Sequence, residues 1–189
     1  MFPLITNPKS WTLFLDRDGV INRKLPDDYV KMRNEFEFLP FVKDSLAELK
    51  KFFGRIIVIT NQQGVGKGLM TETDLKEIHF EMCKTIENTG GFINKVYFCC
   101  DLAGSNSNNR KPATGMAMQA KADFPEIDFT KTVMVGDALS DMEFANNIGA
   151  IAVLIANKNF FNKNNKQLTD YVFNNLKEFA DFLYEKNNK

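Results

Sequence analysis

Across 189 residues, 24 Lys and Arg are matched by 24 Asp and Glu, which leaves no formal net charge and no reason to expect a nucleic acid or other polyanion as partner. Hydrophobic residues at 44% and charged residues at 25% exclude global disorder and fit one compact domain over 1–189, within the roughly 100–200 residues usual for one unit. No run of about 18 apolar residues is present to span a membrane. The start, Met1 to Lys9, lacks the basic and apolar regions of a signal peptide, and three cysteines, two of them adjacent at Cys99 and Cys100, make no disulfide framework. The expected setting is therefore a reducing cytoplasm. In chain order, Trp11 to Leu15 reads as a buried strand ending at Asp16. Phe41 to Phe53 carries apolar residues at helical spacing, with Gly54 as its stop. Ile56 to Ile59 is a second strand, closed by Thr60 and Asn61. Thr71 opens a helix with a capping-box pattern that runs to about Asn88. Val96 to Cys99 is a third strand, Ala113 to Ala122 a helix, and Thr132 to Val135 a fourth strand ending at Gly136 and Asp137. A short helix over Leu139 to Asn147, a strand over Ile151 to Leu154, an Asn- and Lys-rich solvated loop over 157–166 and a last amphipathic helix over Leu176 to Tyr184 complete the chain. Continuous apolar strands separated by helices predict an α/β fold, a doubly wound parallel sheet covered on both faces. Its ligands belong at the carboxyl ends of the strands.

The polar residues fall where such a sheet places its chemistry. Asp16, Thr60, Asn61 and Asp137 each follow directly on an apolar strand, so all lie on one rim. Singly, Asp and Asn after strands are ordinary turn formers and helix caps. Together with Lys111 they read as a site. Asp16 and Asp18, at i and i+2, project to the same side if strand geometry persists. Carboxylates that close need a proton or a cation, and magnesium takes oxygen ligands from one or two carboxylates plus phosphate and water. Asp137 and Asp141 add acids to the rim, Lys111 a point charge for phosphate, and Thr60 and Asn61 neutral donors. This set suits phosphoryl transfer, in which positioning and charge neutralisation do most of the work.

Leu13 to Asn22 (LFLDRDGVIN) resembles the first motif of the haloacid dehalogenase superfamily of aspartyl phosphatases. Thr60-Asn61 matches its second motif, Lys111-Pro112 its third, and Gly136-Asp137 through Asp141 its fourth. Within that superfamily the chain is similar to the branch of D-glycero-D-manno-heptose 1,7-bisphosphate and histidinol-phosphate phosphatases. The marks are Asp18 to Asn22, Tyr29-Val30, Thr60 to Gly68, Arg110-Lys111-Pro112 and Gly115-Met116. The resemblance implies a Rossmann-like three-layer core without a large cap, and magnesium-dependent hydrolysis of a phosphomonoester. Asp16 would form the aspartyl-phosphate, and Asp18 would protonate the leaving alcohol and then activate water. Asp16, the backbone carbonyl of Asp18, and Asp137 would bind magnesium, with Asp141 a further acid beside or behind them. Thr60, Asn61 and Lys111 would hold the phosphoryl group, and Arg110 would meet the distal end of the substrate. The expected partner is a small phosphorylated metabolite, taken by a monomer with no nucleic acid and no membrane. Heptose 1,7-bisphosphate is favoured because Arg110 beside Lys111, with Lys67 on a Gly-rich loop, offers positive charge for a second phosphate. Histidinol phosphate ends in a cation.

Members of this branch typically carry a zinc loop of three Cys and one His before the Arg-Lys-Pro motif. Here the segment Cys99 to Asn109 has two adjacent Cys and no His, too few ligands for a tetrahedron, so no structural zinc is expected. His79 and Cys83, at i and i+4 on the predicted second helix, read as packed side chains. Other readings of the same rim are a receiver-like phospho-acceptor domain, a non-catalytic phosphate-binding scaffold and a nucleic-acid 3′-phosphatase of the same superfamily. A P-loop at Gly64 to Lys67 fails on the spacing of its first Gly and on Gly68, which stands where Ser or Thr should bind magnesium.

Overall fold

Six short strands pair into one all-parallel sheet in a computed structural model that describes residues 2–156 and 167–187. The strands are β1 (Thr12–Leu15), β2 (Arg55–Asn61), β3 (Lys95–Cys99), β4 (Thr132–Gly136), β5 (Ile151–Ile155) and β6 (Tyr171–Phe173). The helices are α1 (Val42–Leu49), α2 (Gln63–Gly66), α3 (Glu72–Asn88), α4 (Gly115–Asp123), α5 (Leu139–Ile148) and α6 (Leu176–Asn187). The solvated loop expected over 157–166 lies outside the described residues.

Period-2 alternation divides each strand between two cores. Leu13, Leu15, Ile56, Val58, Val133 and Val135 point to the face covered by α1, α3 and α6, against Leu46, Met82 and Phe179. Phe14, Ile57, Ile59 and Met134 point to the opposite face, against Met116 and Ala120 of α4 and Phe144 of α5. Both faces are buried, which is why these strands read as unbroken apolar runs rather than alternating ones. Each large apolar side chain so buried contributes roughly 1.5–3 kcal/mol relative to exposure.

The strand order is β3-β2-β1-β4-β5-β6. β1 is central, with Leu15 level with Val58 of β2 on one side and Val135 of β4 on the other. The chain builds outward from β1 to β3, then returns to β4 and builds the other way. Connections that diverge at β1 and β4 open a crevice at their carboxyl ends, where this architecture binds ligands. Two elements differ from the sequence reading. β6 pairs with β5, where no strand is expected. Gln63–Gly66 forms one helical turn in the segment read as a Gly-rich loop, closed by the Lys67 N–H donating to the Gln63 carbonyl at 2.9 Å.

Candidate active site

Three carboxylates converge in the crevice. The Asp16 N–H donates to the Val135 carbonyl at 2.9 Å, which extends the β1–β4 ladder by one residue and fixes the height of its side chain on the rim. Asp137 follows β4 directly. Asp141 lies on the first turn of α5, where its Oδ2 accepts from the Ala138 N–H at 3.0 Å. One oxygen from each of the three lies within 4.8 Å of the others. Gly19 makes room for them: its φ is +87°, and a Cβ there would stand 2.3 Å from Asp137 Oδ2.

Lys111, 3% exposed, carries the opposing charge. Its Nζ forms ion pairs with Asp16 Oδ1 at 2.9 Å and Asp141 Oδ1 at 2.6 Å, and it donates a hydrogen bond to the Ile59 carbonyl at 2.7 Å. Burial opposes its charge, but Asp141 and Asp16 outweigh burial and raise its pKa. Asp16, 8% exposed, is pushed up to about 6 by burial, with Lys111 pulling down and Asp141 and Asp18 pushing up. Asp137 is raised by burial and by Asp16, against Lys24 at 2.7 Å from its Oδ2.

Three carboxylates thus share two lysines, and the buried Asp137 Oδ1 has no hydrogen-bond donor. An all-oxygen set with surplus negative charge and an unpaired buried acceptor fits a hard divalent cation such as magnesium.

The side chain of Asp18 is anchored apart from these three. Its Oδ1 accepts from Arg17 Nη2 at 3.0 Å and Asn22 Nδ2 at 2.9 Å, and its Oδ2 accepts from Gln62 Nε2 at 2.7 Å. Burial alone would raise its pKa, but Arg17, Asn22 and Gln62 outweigh burial and hold the carboxyl below its usual range. Sequence reasoning assigned no site role to Arg17, Asn22 or Gln62. The only signal for the three was their place in the family motifs.

An open cavity of about 420 Å³ stands over the rim, with Asp16, Asp18, Asn61, Lys111 and Asp137 in its wall. Asn61 and Lys111 form a reciprocal pair: Asn61 Nδ2 donates to the Lys111 carbonyl at 3.1 Å, and the Lys111 N–H donates to Asn61 Oδ1 at 3.0 Å. That pair ties the Lys111 loop to the end of β2. Thr60 is buried beneath, outside the cavity wall, with its Oγ1 accepting from Gln62 Nε2 at 2.9 Å. Lys67 and Arg110 both line the mouth. Lys67 Nζ donates to Tyr29 Oη at 2.9 Å, and Arg110 Nη1 to the Asp101 carbonyl at 3.0 Å. The segment before Arg110 closes by hydrogen bonds, the Asn109 and Arg110 N–H groups donating to Ser107 Oγ at 3.1 and 3.2 Å. His79 is buried and bonded to Arg17, while Cys83 is half-buried and its thiol is pushed up to about 11 by burial and Glu87. Among the described residues, no helix is long and apolar enough to cross a membrane.

The family model for polynucleotide kinase 3 phosphatase matches residues 11–180. A D-glycero-alpha-D-manno-heptose-1,7-bisphosphate 7-phosphatase of Mycobacterium tuberculosis is 36% identical over 170 residues, 90% of each chain. A D-glycero-beta-D-manno-heptose-1,7-bisphosphate 7-phosphatase of Neisseria meningitidis is 31% identical over 180 residues, covering 93% of this chain and 95% of the relative. The crystal structure of a D,D-heptose 1,7-bisphosphate phosphatase from B. bronchiseptica, complexed with magnesium and phosphate, superposes with a TM-score of 0.81. It is 25% identical, and the match covers 93% of this chain and 99% of that one.

Proposed function

The chain belongs to the polynucleotide kinase 3 phosphatase family, within the haloacid dehalogenase superfamily, and from its likeness to the heptose bisphosphate phosphatases we propose that it hydrolyses one phosphate from D-glycero-D-manno-heptose 1,7-bisphosphate. The observation that carries this reading is the buried Asp16 carboxylate held 2.9 Å from Lys111 Nζ at the crevice of the sheet. Asp16, the Asp18 backbone carbonyl and Asp137 would hold magnesium, which when bound neutralises charge on the transferring phosphoryl group. An Asp16 oxygen attacks phosphorus, and the ester P–O bond breaks. Asp18 gives its proton to the departing alcohol. Its donors keep it a carboxylate in the free protein, but an incoming phosphoryl group adds negative charge beside it and favours the protonated form. With the alcohol gone, Asp18 is again a carboxylate and takes a proton from the water that cleaves the aspartyl-phosphate. Asn61 and Lys111 orient the phosphoryl oxygens, while Thr60, below them, accepts from Gln62, whose amide also holds Asp18. Asp141, engaged by Lys111 and by the N-terminus of α5, holds the lysine in place. Lys67 and Arg110 at the mouth supply positive charge for the second phosphate. The same reading has a monomer working in the cytoplasm without structural zinc.

The test is phosphate release with magnesium from both anomers of the heptose bisphosphate, from histidinol phosphate and from a 3′-phosphorylated oligonucleotide. The bisphosphate should have the highest kcat/KM, since specificity is a ratio of these values. Asp16→Asn, which keeps the shape and removes the nucleophile, should reduce turnover to background. Higher kcat/KM on histidinol phosphate or the oligonucleotide would refute the substrate, and an active Asp16→Asn variant would refute the mechanism.

A further inference from the structure

Behind Asp18 lies a buried pair of side chains to which the reaction steps give no task. His79, the single histidine of the chain, sits on α3 at 5% exposure, with its ring centroid 5.6 Å from that of Phe98. Its Nε2 lies 3.1 Å from Arg17 Nη1. A guanidinium has no acceptor, so Nε2 must be the bare nitrogen and the ring proton must sit on Nδ1. Burial, and then the neighbouring guanidinium, keep the ring neutral, with its pKa pushed down to about 3.

Arg17 is itself 1% exposed, and its Nη2 donates to Asp18 Oδ1 at 3.0 Å. Its Nε has no hydrogen-bond partner. The side chain of this buried guanidinium is therefore anchored at two points, Asp18 on one nitrogen and His79 on the other. Asn22 and Gln62, the other donors to Asp18, are neutral amides, so among these donors Arg17 alone brings a full positive charge to the carboxyl. Removing the imidazole acceptor leaves the plane of Arg17 free to turn and the Asp18 carboxyl free to follow it.

We propose that His79 is a positioning residue for phosphoryl transfer, fixing Arg17 and, through it, the orientation of the Asp18 carboxyl towards the leaving oxygen. This inference rests on the phosphatase reading of Asp16 and Asp18. It separates from a packing role because a misaligned acid is felt only by a leaving group that needs a proton. An alkoxide leaving from a sugar phosphate needs one, whereas nitrophenolate leaves without one.

The experiment compares kcat/KM for heptose 1,7-bisphosphate and p-nitrophenyl phosphate, a ratio that ends at departure of the alcohol and excludes hydrolysis of the aspartyl-phosphate. General acid catalysis is worth about 10²–10⁴-fold, so His79→Phe should lose about tenfold or more on the sugar phosphate and less than about twofold on the aryl phosphate. His79→Gln, whose amide oxygen can still accept from Arg17, should recover most of the loss. Equal losses on the two substrates, or no recovery by Gln, overturn the proposal. Nitrogen-15 NMR of the single imidazole in the wild-type protein gives a readout independent of any variant's folding. A neutral ring protonated on Nδ1 at neutral pH is expected, and an imidazolium or the opposite tautomer overturns the proposal. A wild-type protein inactive on both phosphates would refute the phosphatase reading, and this inference with it; a loss independent of substrate refutes this inference alone.

Discussion

Below pH 6.5 an unfolded chain protonates its histidine, whereas in the folded protein burial and Arg17 push the pKa of His79 down to about 3. Between these values the unfolded state binds the extra proton. The contribution of His79 to stability is therefore fully present above pH 6.5 and is lost as pH falls towards 3, by about 1.4 kcal/mol per pH unit. Asp16 works in the opposite direction. Without metal its folded pKa is about 6 against an ordinary 3.8, so falling pH through that window stabilises the fold. Subtracting the urea-unfolding free energy of His79→Gln, which keeps Asp16, isolates the histidine. The wild-type-minus-variant difference should decline below pH 6.5, and a difference independent of pH would contradict the buried neutral ring. Asp16, Asp137 and Lys111 were legible in the sequence because strand-end acids occurring together with a lysine, in the order of the family motifs, carry a signal that none carries singly. Arg17 with His79 and Asp18 with Gln62 were not, because the partners are 62 and 44 positions apart and no local spacing says that they meet.

Helix α3, which carries His79, begins with a reciprocal cap in which the Asp74 N–H donates to Thr71 Oγ1 at 3.1 Å and the Thr71 N–H to Asp74 Oδ2 at 2.8 Å. Thr71→Ala removes one half of it and should cost about 1 kcal/mol, read as a lower denaturation midpoint with an unchanged slope. His79 is two turns further along the helix, so kcat should hold. This element was readable because a Thr followed three residues later by an acid names its own hydrogen bonds. β6 was not readable, since Tyr171–Phe173 is three half-buried residues long and too short to show a period. α2 was hidden by its glycines, which mark a loop to any reading of propensity, although Gly64 is buried beside Tyr29, where a Cβ would stand 3.2 Å from the ring.

At the scale of the whole molecule, the acidic cluster joins the end of β1 to the end of β4 and the first turn of α5, so a bound cation should stabilise the entire fold. Magnesium at a hundred times its dissociation constant should add roughly 2.7 kcal/mol. A higher Tm on adding magnesium chloride, absent in Asp137→Asn, is the expected result of thermal unfolding. The strand order also bears on the nascent chain. β1 ends at Leu15, while its partner β4 begins at Thr132. Synthesis at about 5–20 residues per second separates the two by roughly 6–23 s. During that interval β2 can cover one side of β1, but the side meant for β4 presents unpaired N–H and C=O groups. An open apolar edge is a template for a foreign strand. A chain whose translation stops before residue 132 keeps that edge open permanently and is committed to aggregation or degradation.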